Sequence, residues 1–274
     1  MATISTEFAE AWRFDFIRTA FFAGTACAAL SACVGYFVLL RRMAFAGHAL
    51  GHIGFAGACA GVLLGWGPLP GMLALNLVAA TGMGLLGDRV QKNDLVIGMM
   101  LSFALGLGTL FLSQIKGYAG QATTILFGNL WSVSPTQLTI LIALTLGGLL
   151  VLLAIFRPLL FATLEPELAE AKGVPIQLVS VLFYLLVAVA VAVASQIIGV
   201  LLVFTLLIGP PATALRFCHA VWPGLALSLA IGAASVWASL VLAYVTNWPV
   251  SFWAPALLAV IYLASTIATR RRTR

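Results

Sequence analysis

Two of the three histidines in this 274-residue chain, His48 and His52, stand four residues apart in Gly47-His48-Ala49-Leu50-Gly51-His52. On a helix that spacing sets both imidazoles on one face, Cβ atoms about 5–6 Å apart, within reach of a single divalent ion. Two neutral imidazoles favour zinc over manganese, which prefers carboxylate and water oxygens. The alternative is a pair of hydrogen-bonded packing residues. Ionisable groups inside an apolar segment are costly, and two on one face weigh toward a functional site. The third histidine, His219, follows Arg216 in a polar connection and reads as solvated.

Other chemistries fail on the letters. An intramembrane zinc protease needs His-Glu-x-x-His, and the residue after His48 is Ala49, so the general base is missing. A membrane cytochrome needs axial histidines on facing helices, and no other apolar segment contains one. None of Lys92, Lys116 and Lys172 is preceded by glycine, which excludes a phosphate-binding loop; ATP-driven work would need another subunit. Cys27, Cys33, Cys59 and Cys218 sit in apolar segments without CxxC spacing and read as small packing residues. No permanently bound cofactor is expected.

The elements that must position the histidines follow from composition. With 62% hydrophobic and 8% charged residues, the chain is no ordinary soluble domain but an integral membrane protein. Nine apolar segments are expected, at about 16–40, 44–66, 68–87, 94–113, 136–156, 176–194, 197–217, 221–246 and 249–269. Their length suits helices crossing about 30 Å of hydrocarbon, not the shorter alternating strands of a barrel. The fold class is therefore all-α and polytopic, with residues 1–274 as a single transmembrane domain and no extramembrane catalytic domain. The first run ends in Leu39-Leu40-Arg41-Arg42 without a small-residue cleavage signal and reads as a retained span.

Nine spans with the C-terminal arginines in the cytoplasm place 11 of the 14 basic residues inside and leave Arg13, Arg18 and Lys116 outside. That satisfies the positive-inside rule in a plasma or inner membrane and accounts for the net charge of +6, leaving nothing for a nucleic-acid surface. Counted from Arg42, His48 then lies about 9 Å and His52 about 15 Å into the bilayer.

Small residues around the pair, Gly47, Gly51, Gly54, Gly57 and Gly61, permit close helix packing. Cys59, two turns beyond His52, is about 10 Å away and too far to share its ion. In the seventh segment Pro210 and Pro211 disfavour a continuous helix: either a kink forms, or freed carbonyls together with Thr205 and Thr213 line a cavity.

Two connections are too long to be turns. Outside, residues 114–135 contain Ile125 to Trp131, too short to span and read as a re-entrant or interfacial helix. Inside, residues 157–175 contain Glu165, Pro166, Glu167 and Glu170, with Lys172 and Gly173 behind them. Proline at the start, acids in the first turn and glycine past the end predict a short capped cytoplasmic helix, either a solvated connector or a docking element.

These residues resemble a known family, the permease subunits of ATP-binding-cassette importers for zinc, manganese or iron. The most specific element is Arg41-Arg42-Met43 followed by Gly47-His48-Ala49-Leu50-Gly51-His52, similar to the family's Arg-Arg-Met and Gly-Asp-Ala-Leu-Ser-His. Ile97-Gly98 after Asp94, Leu126-Phe127-Gly128-Asn129, Pro166-Glu167-Leu168-Ala169 with Gly173, and Gly199 running to Pro211-Ala212-Thr213-Ala214 match in order. The sequence departs from the family at His48, where Asp is commonest. The resemblance implies an import permease, not itself an enzyme, working with a separate ABC ATPase subunit and an extracytoplasmic metal-binding protein. It further implies that Glu165 to Gly173 couples to the ATPase. No duplicated half is visible, so a homodimer is the simplest way to supply two membrane halves. The reading from another class is an ion-coupled secondary carrier or channel, whose usual internal repeats are not seen.

Overall fold

The computed structural model describes residues 14–87, 94–115, 117–218 and 220–272. Arg13, Arg89, Lys92, Lys116, His219 and Arg274 lie outside the described residues. Among the described residues the chain is all helix: α1 (Asp15–Leu40), α2 (Ala44–Leu63), α3 (Pro68–Leu86), α4 (Asp94–Ser113), α5 (Tyr118–Phe127), α6 (Pro135–Leu164), α7 (Pro166–Ala171), α8 (Ile176–Ile198), α9 (Val203–Phe217), α10 (Val221–Thr246) and α11 (Val250–Arg272).

Eight of these, all but α5, α7 and α9, are long and apolar enough to cross a membrane. The expected seventh span is a shorter helix, α9, of 15 residues and about 22 Å. The shortening comes from Gly199, whose φ of +87° ends α8; the chain then turns through residues 199–202 before α9 begins. Pro210 and Pro211 do not interrupt α9, contrary to the sequence expectation. Pro211 removes the amide that would pair with the Leu207 carbonyl, and that oxygen packs so closely on Gly35 of α1 that a Cβ there would overlap it. The freed carbonyl thus faces the Gly35 backbone across a close helix–helix contact.

Two further boundaries differ. The fifth span does not stop near residue 156 but continues as α6 through Arg157 and Pro158 to Leu164, shortening the inner connection. Its 30 residues reach about 45 Å, so one end projects beyond the hydrocarbon. The outer connection forms its helix earlier than expected, at Tyr118–Phe127, and a 3-10 turn at Leu130–Ser132 follows.

The core lies around α1 and α8. α1 packs against α6, α8, α9 and α10, while α2, α3 and α4 form a second group joined to the first mainly by α8 against α3. Lipid gives no hydrophobic gain for helix association, so close backbone approach must supply contact. α2 and α3 achieve it through Gly57, Gly61 and Gly71, where an added Cβ would run into the facing backbone. Phe37 anchors α1 edge-on to Phe156 of α6 at 5.5 Å and Phe183 of α8 at 6.3 Å.

Candidate metal site

α2 begins after a tight reversal in which Arg42 takes a left-handed φ of +56° and the Met43 amide donates to the Val38 carbonyl at 2.8 Å. Arg41 ties this reversal to α8: its guanidinium donates to Ser180 Oγ at 2.8 Å and lies 5.5 Å from the Phe183 ring centre. Gly47 then meets Leu207 and Val187, and Gly51 meets Val203, which presses that face of α2 onto α8 and α9. The neighbouring face carries His48 and His52, both half-buried.

Their Nε2 atoms are 3.3 Å apart, with the rings nearly perpendicular at 86°. Two nitrogens each bound at about 2.0–2.1 Å to one tetrahedral zinc would stand about 3.3–3.4 Å apart, so the pair already has the spacing of two adjacent ligands. The Phe204 ring of α9 packs against His48 at 5.2 Å and limits its rotation. His52 Nδ1 is buried without a hydrogen-bond partner. Among the described residues no third His, Cys, Asp or Glu joins the two. One chain therefore offers half of a four-coordinate site.

Thr205 is half-buried in the first turn of α9, next to Phe204. Thr213 is 1% exposed, about two turns further along, and its hydroxyl donates to the Gly209 carbonyl at 3.0 Å. Thr205 thus follows the residue that packs on His48, while the Thr213 hydroxyl is committed to its own helix.

The acidic segment forms α7 with Pro166 at its start and Glu167 in the first turn. Gly173 has φ +79°, and the Lys172, Gly173 and Val174 amides donate back to Leu168, Glu170 and Ala169. This is the capped helix that the residue order predicts. Glu165, Pro166, Glu167, Leu168 and Ala171 border an open cleft of about 530 Å³, and Glu165 also borders a neighbouring one lined by Phe156, Arg157, Leu160, Phe161 and Leu164.

Asn76, in the middle of α3, escaped the reading from sequence. It is 0% exposed, neither polar atom of its carboxamide has a protein partner, and it rests on Gly54 of α2 with Nδ2 3.1 Å from the position a Cβ would take. The signal was available, since a lone amide in an apolar span is itself unusual.

The model of the ABC 3 transport family matches residues 13–269. The chain is 29% identical over 262 residues to the manganese import system permease protein ScaB of Streptococcus parasanguinis, covering 95% of this chain and 93% of that protein. It is 29% identical over 210 residues to the high-affinity zinc uptake system membrane protein ZnuB of Haemophilus influenzae, covering 75% and 79%. The structure of PsaBC from Streptococcus pneumoniae in complex with Fab superposes with a TM-score of 0.85 at 27% identity, covering 95% of this chain and 94% of that one.

Proposed function

The chain belongs to the ABC 3 transport family, and on that premise we propose that it is the single-domain permease subunit of an importer carrying divalent transition metals into the cytoplasm. The observation that carries the proposal is the His48–His52 pair, two Nε2 atoms 3.3 Å apart on a half-buried face of a membrane helix. They serve as a transient station for the ion, with Thr205 of α9 assigned to the pathway wall and Thr213, buried and bonded within its own helix, left out of it. A second copy related by a two-fold axis would bring a second histidine pair to the same ion, which agrees with the open half of the site in one chain. By ligand chemistry the cargo is zinc. Manganese is the competing cargo, favoured by the name of the ScaB relative.

ATP hydrolysis is assigned to a partner subunit docked on α7 and its cleft, through Glu165, Pro166, Glu167, Glu170 and Gly173. An extracytoplasmic metal-binding protein delivers the ion at the opposite end. The C-terminus, with Arg270, Arg271 and Arg272, is cytoplasmic by the positive-inside rule. The test is a reconstituted complex with its ATPase, supplied with binding proteins loaded with zinc or manganese. Uptake with stimulated hydrolysis is expected for the wild type, and loss of uptake without loss of assembly for His48→Ala plus His52→Ala. Normal uptake by the double variant would remove the histidines from the mechanism. Uptake by this chain alone in liposomes would instead support a secondary carrier.

A further inference from the structure

Where α9 ends beside α11, an arginine stands without a counter-ion. Arg216, in the last turn of α9, holds its guanidinium carbon 4.7 Å from the Tyr262 ring centre. Its Nη2 donates to the Tyr262 hydroxyl at 3.0 Å and its Nη1 to Thr269 Oγ1 at 3.5 Å. Among the described residues the one ion pair joins Arg18 to Asp15 at 3.7 Å, so no carboxylate neutralises Arg216. Both of its partners are neutral oxygens, and the other N–H donors of the guanidinium stay open. The Tyr262 hydroxyl accepts from Arg216 and keeps its own proton to donate.

The depth of this group follows from α11. Its apolar run, Val250–Thr269, is 20 residues, about 30 Å, which matches the hydrocarbon thickness of a bilayer. Tyr262 and Thr269 span the last two turns of that run, so the guanidinium is moored within about 10 Å of its end. The helix itself continues through Arg270, Arg271 and Arg272. An arginine at such a depth ordinarily extends outward to the headgroups. Here the bond to Tyr262 draws it back toward the hydrocarbon. Phe217, Leu263 and Ile267 are exposed nearby in the chain, as side chains against acyl tails are. A charge held at this boundary is costly unless an anion reaches it, and lipid phosphates are the anions at that level.

We propose that Arg216 and Tyr262, with Thr269 mooring the guanidinium, bind the phosphate of an anionic phospholipid whose acyl chains lie along the exposed apolar face of α11. The planar guanidinium presents paired N–H groups that match two phosphate oxygens, and the Tyr262 hydroxyl adds a further donor. The arginines at 270–272 raise the positive potential at headgroup level. That potential favours phosphatidylglycerol over phosphatidylethanolamine, whose ammonium group it repels. Assignment to the cytoplasmic leaflet rests on the orientation proposed above; the site itself depends on neither that orientation nor the cargo.

The full chain, purified in a neutral detergent, is offered equimolar phosphatidylglycerol and phosphatidylethanolamine, and the retained lipids are counted by native mass spectrometry. The wild type should retain phosphatidylglycerol in preference, and Arg216→Gln should lower the ratio of the two lipids by about fivefold or more. Tyr262→Phe keeps the ring under the guanidinium, loses the hydroxyl and should lower the ratio by about twofold. Arg18→Gln removes an arginine already paired with Asp15 and should leave the ratio unchanged. Equal retention of the two lipids by the wild type, or an unchanged ratio in Arg216→Gln, overturns the site. Release of the bound phosphatidylglycerol by millimolar inorganic phosphate at constant ionic strength overturns the lipid assignment in favour of a free anion. An unchanged ratio in Arg216→Gln together with lost ATPase co-purification would give Arg216 to the ATPase interface instead. Lipid retention reads neither transport nor metal binding, so failure here is separate from failure of the importer reading, which only the uptake assay can overturn.

Discussion

His48 Nε2 lies 3.3 Å from His52 Nε2, so exchanging one donor changes the hardness of the pair without moving its helix. His48→Asp is expected to preserve transport and shift the zinc-to-manganese uptake ratio toward manganese, because a carboxylate oxygen replaces an imidazole nitrogen. Competitive uptake of the two ions into proteoliposomes measures it, and an unchanged ratio would count against His48 as a ligand. Asn76 allows a prediction of opposite kind. A buried carboxamide without partners costs about 1–3 kcal/mol, so Asn76→Leu should raise stability by about that amount and increase the melting temperature in detergent. A lower melting temperature would mean that the carboxamide is hydrogen-bonded in the folded protein. The histidine pair was legible from spacing alone, since i and i+4 on any helix share a face. Its nitrogen separation was not, because ring orientation depends on Phe204, more than 150 residues away in the chain.

At the scale of elements, α7 is the clearest case of local encoding: proline, acids and glycine fall where a six-residue helix needs them. Gly173→Val forces a β-branched residue to φ near +79°, which should unwind the last turn. Glu167→Lys with Glu170→Lys places cations at the start of the helix and against any basic docking partner. Both changes are expected to weaken ATPase co-purification or uncouple hydrolysis from transport while sparing metal binding at His48 and His52. Wild-type behaviour of both would reduce α7 to a connector. α9 shows the limit of local signals. Its two prolines argue for a break, yet the helix is continuous there and broken instead at Gly199. The freed Leu207 carbonyl packs on Gly35 of α1, and Gly128, just past α5, packs on the break at Gly199. Neither partner is adjacent in sequence.

For the whole molecule, the proposed orientation predicts which surface each end of α6 faces. In intact cells, with the four native cysteines replaced, Ser132→Cys should react with a membrane-impermeant maleimide and Glu170→Cys should react only after lysis. The reverse pattern would invert the topology. Membrane residence, the all-helical class, the positive-inside bias and the family resemblance were all determined by the sequence alone. Each depends on composition, segment length or short ordered motifs, which survive without knowledge of contacts. Tertiary structure alone decided that the seventh segment forms a helix of only 15 residues, that α6 runs on through Pro158, and that a polar cavity forms where α5 meets α8. The short α9 and the cavity go with the backbone contact of Gly128 with Gly199, and such contacts leave no period or spacing in the chain.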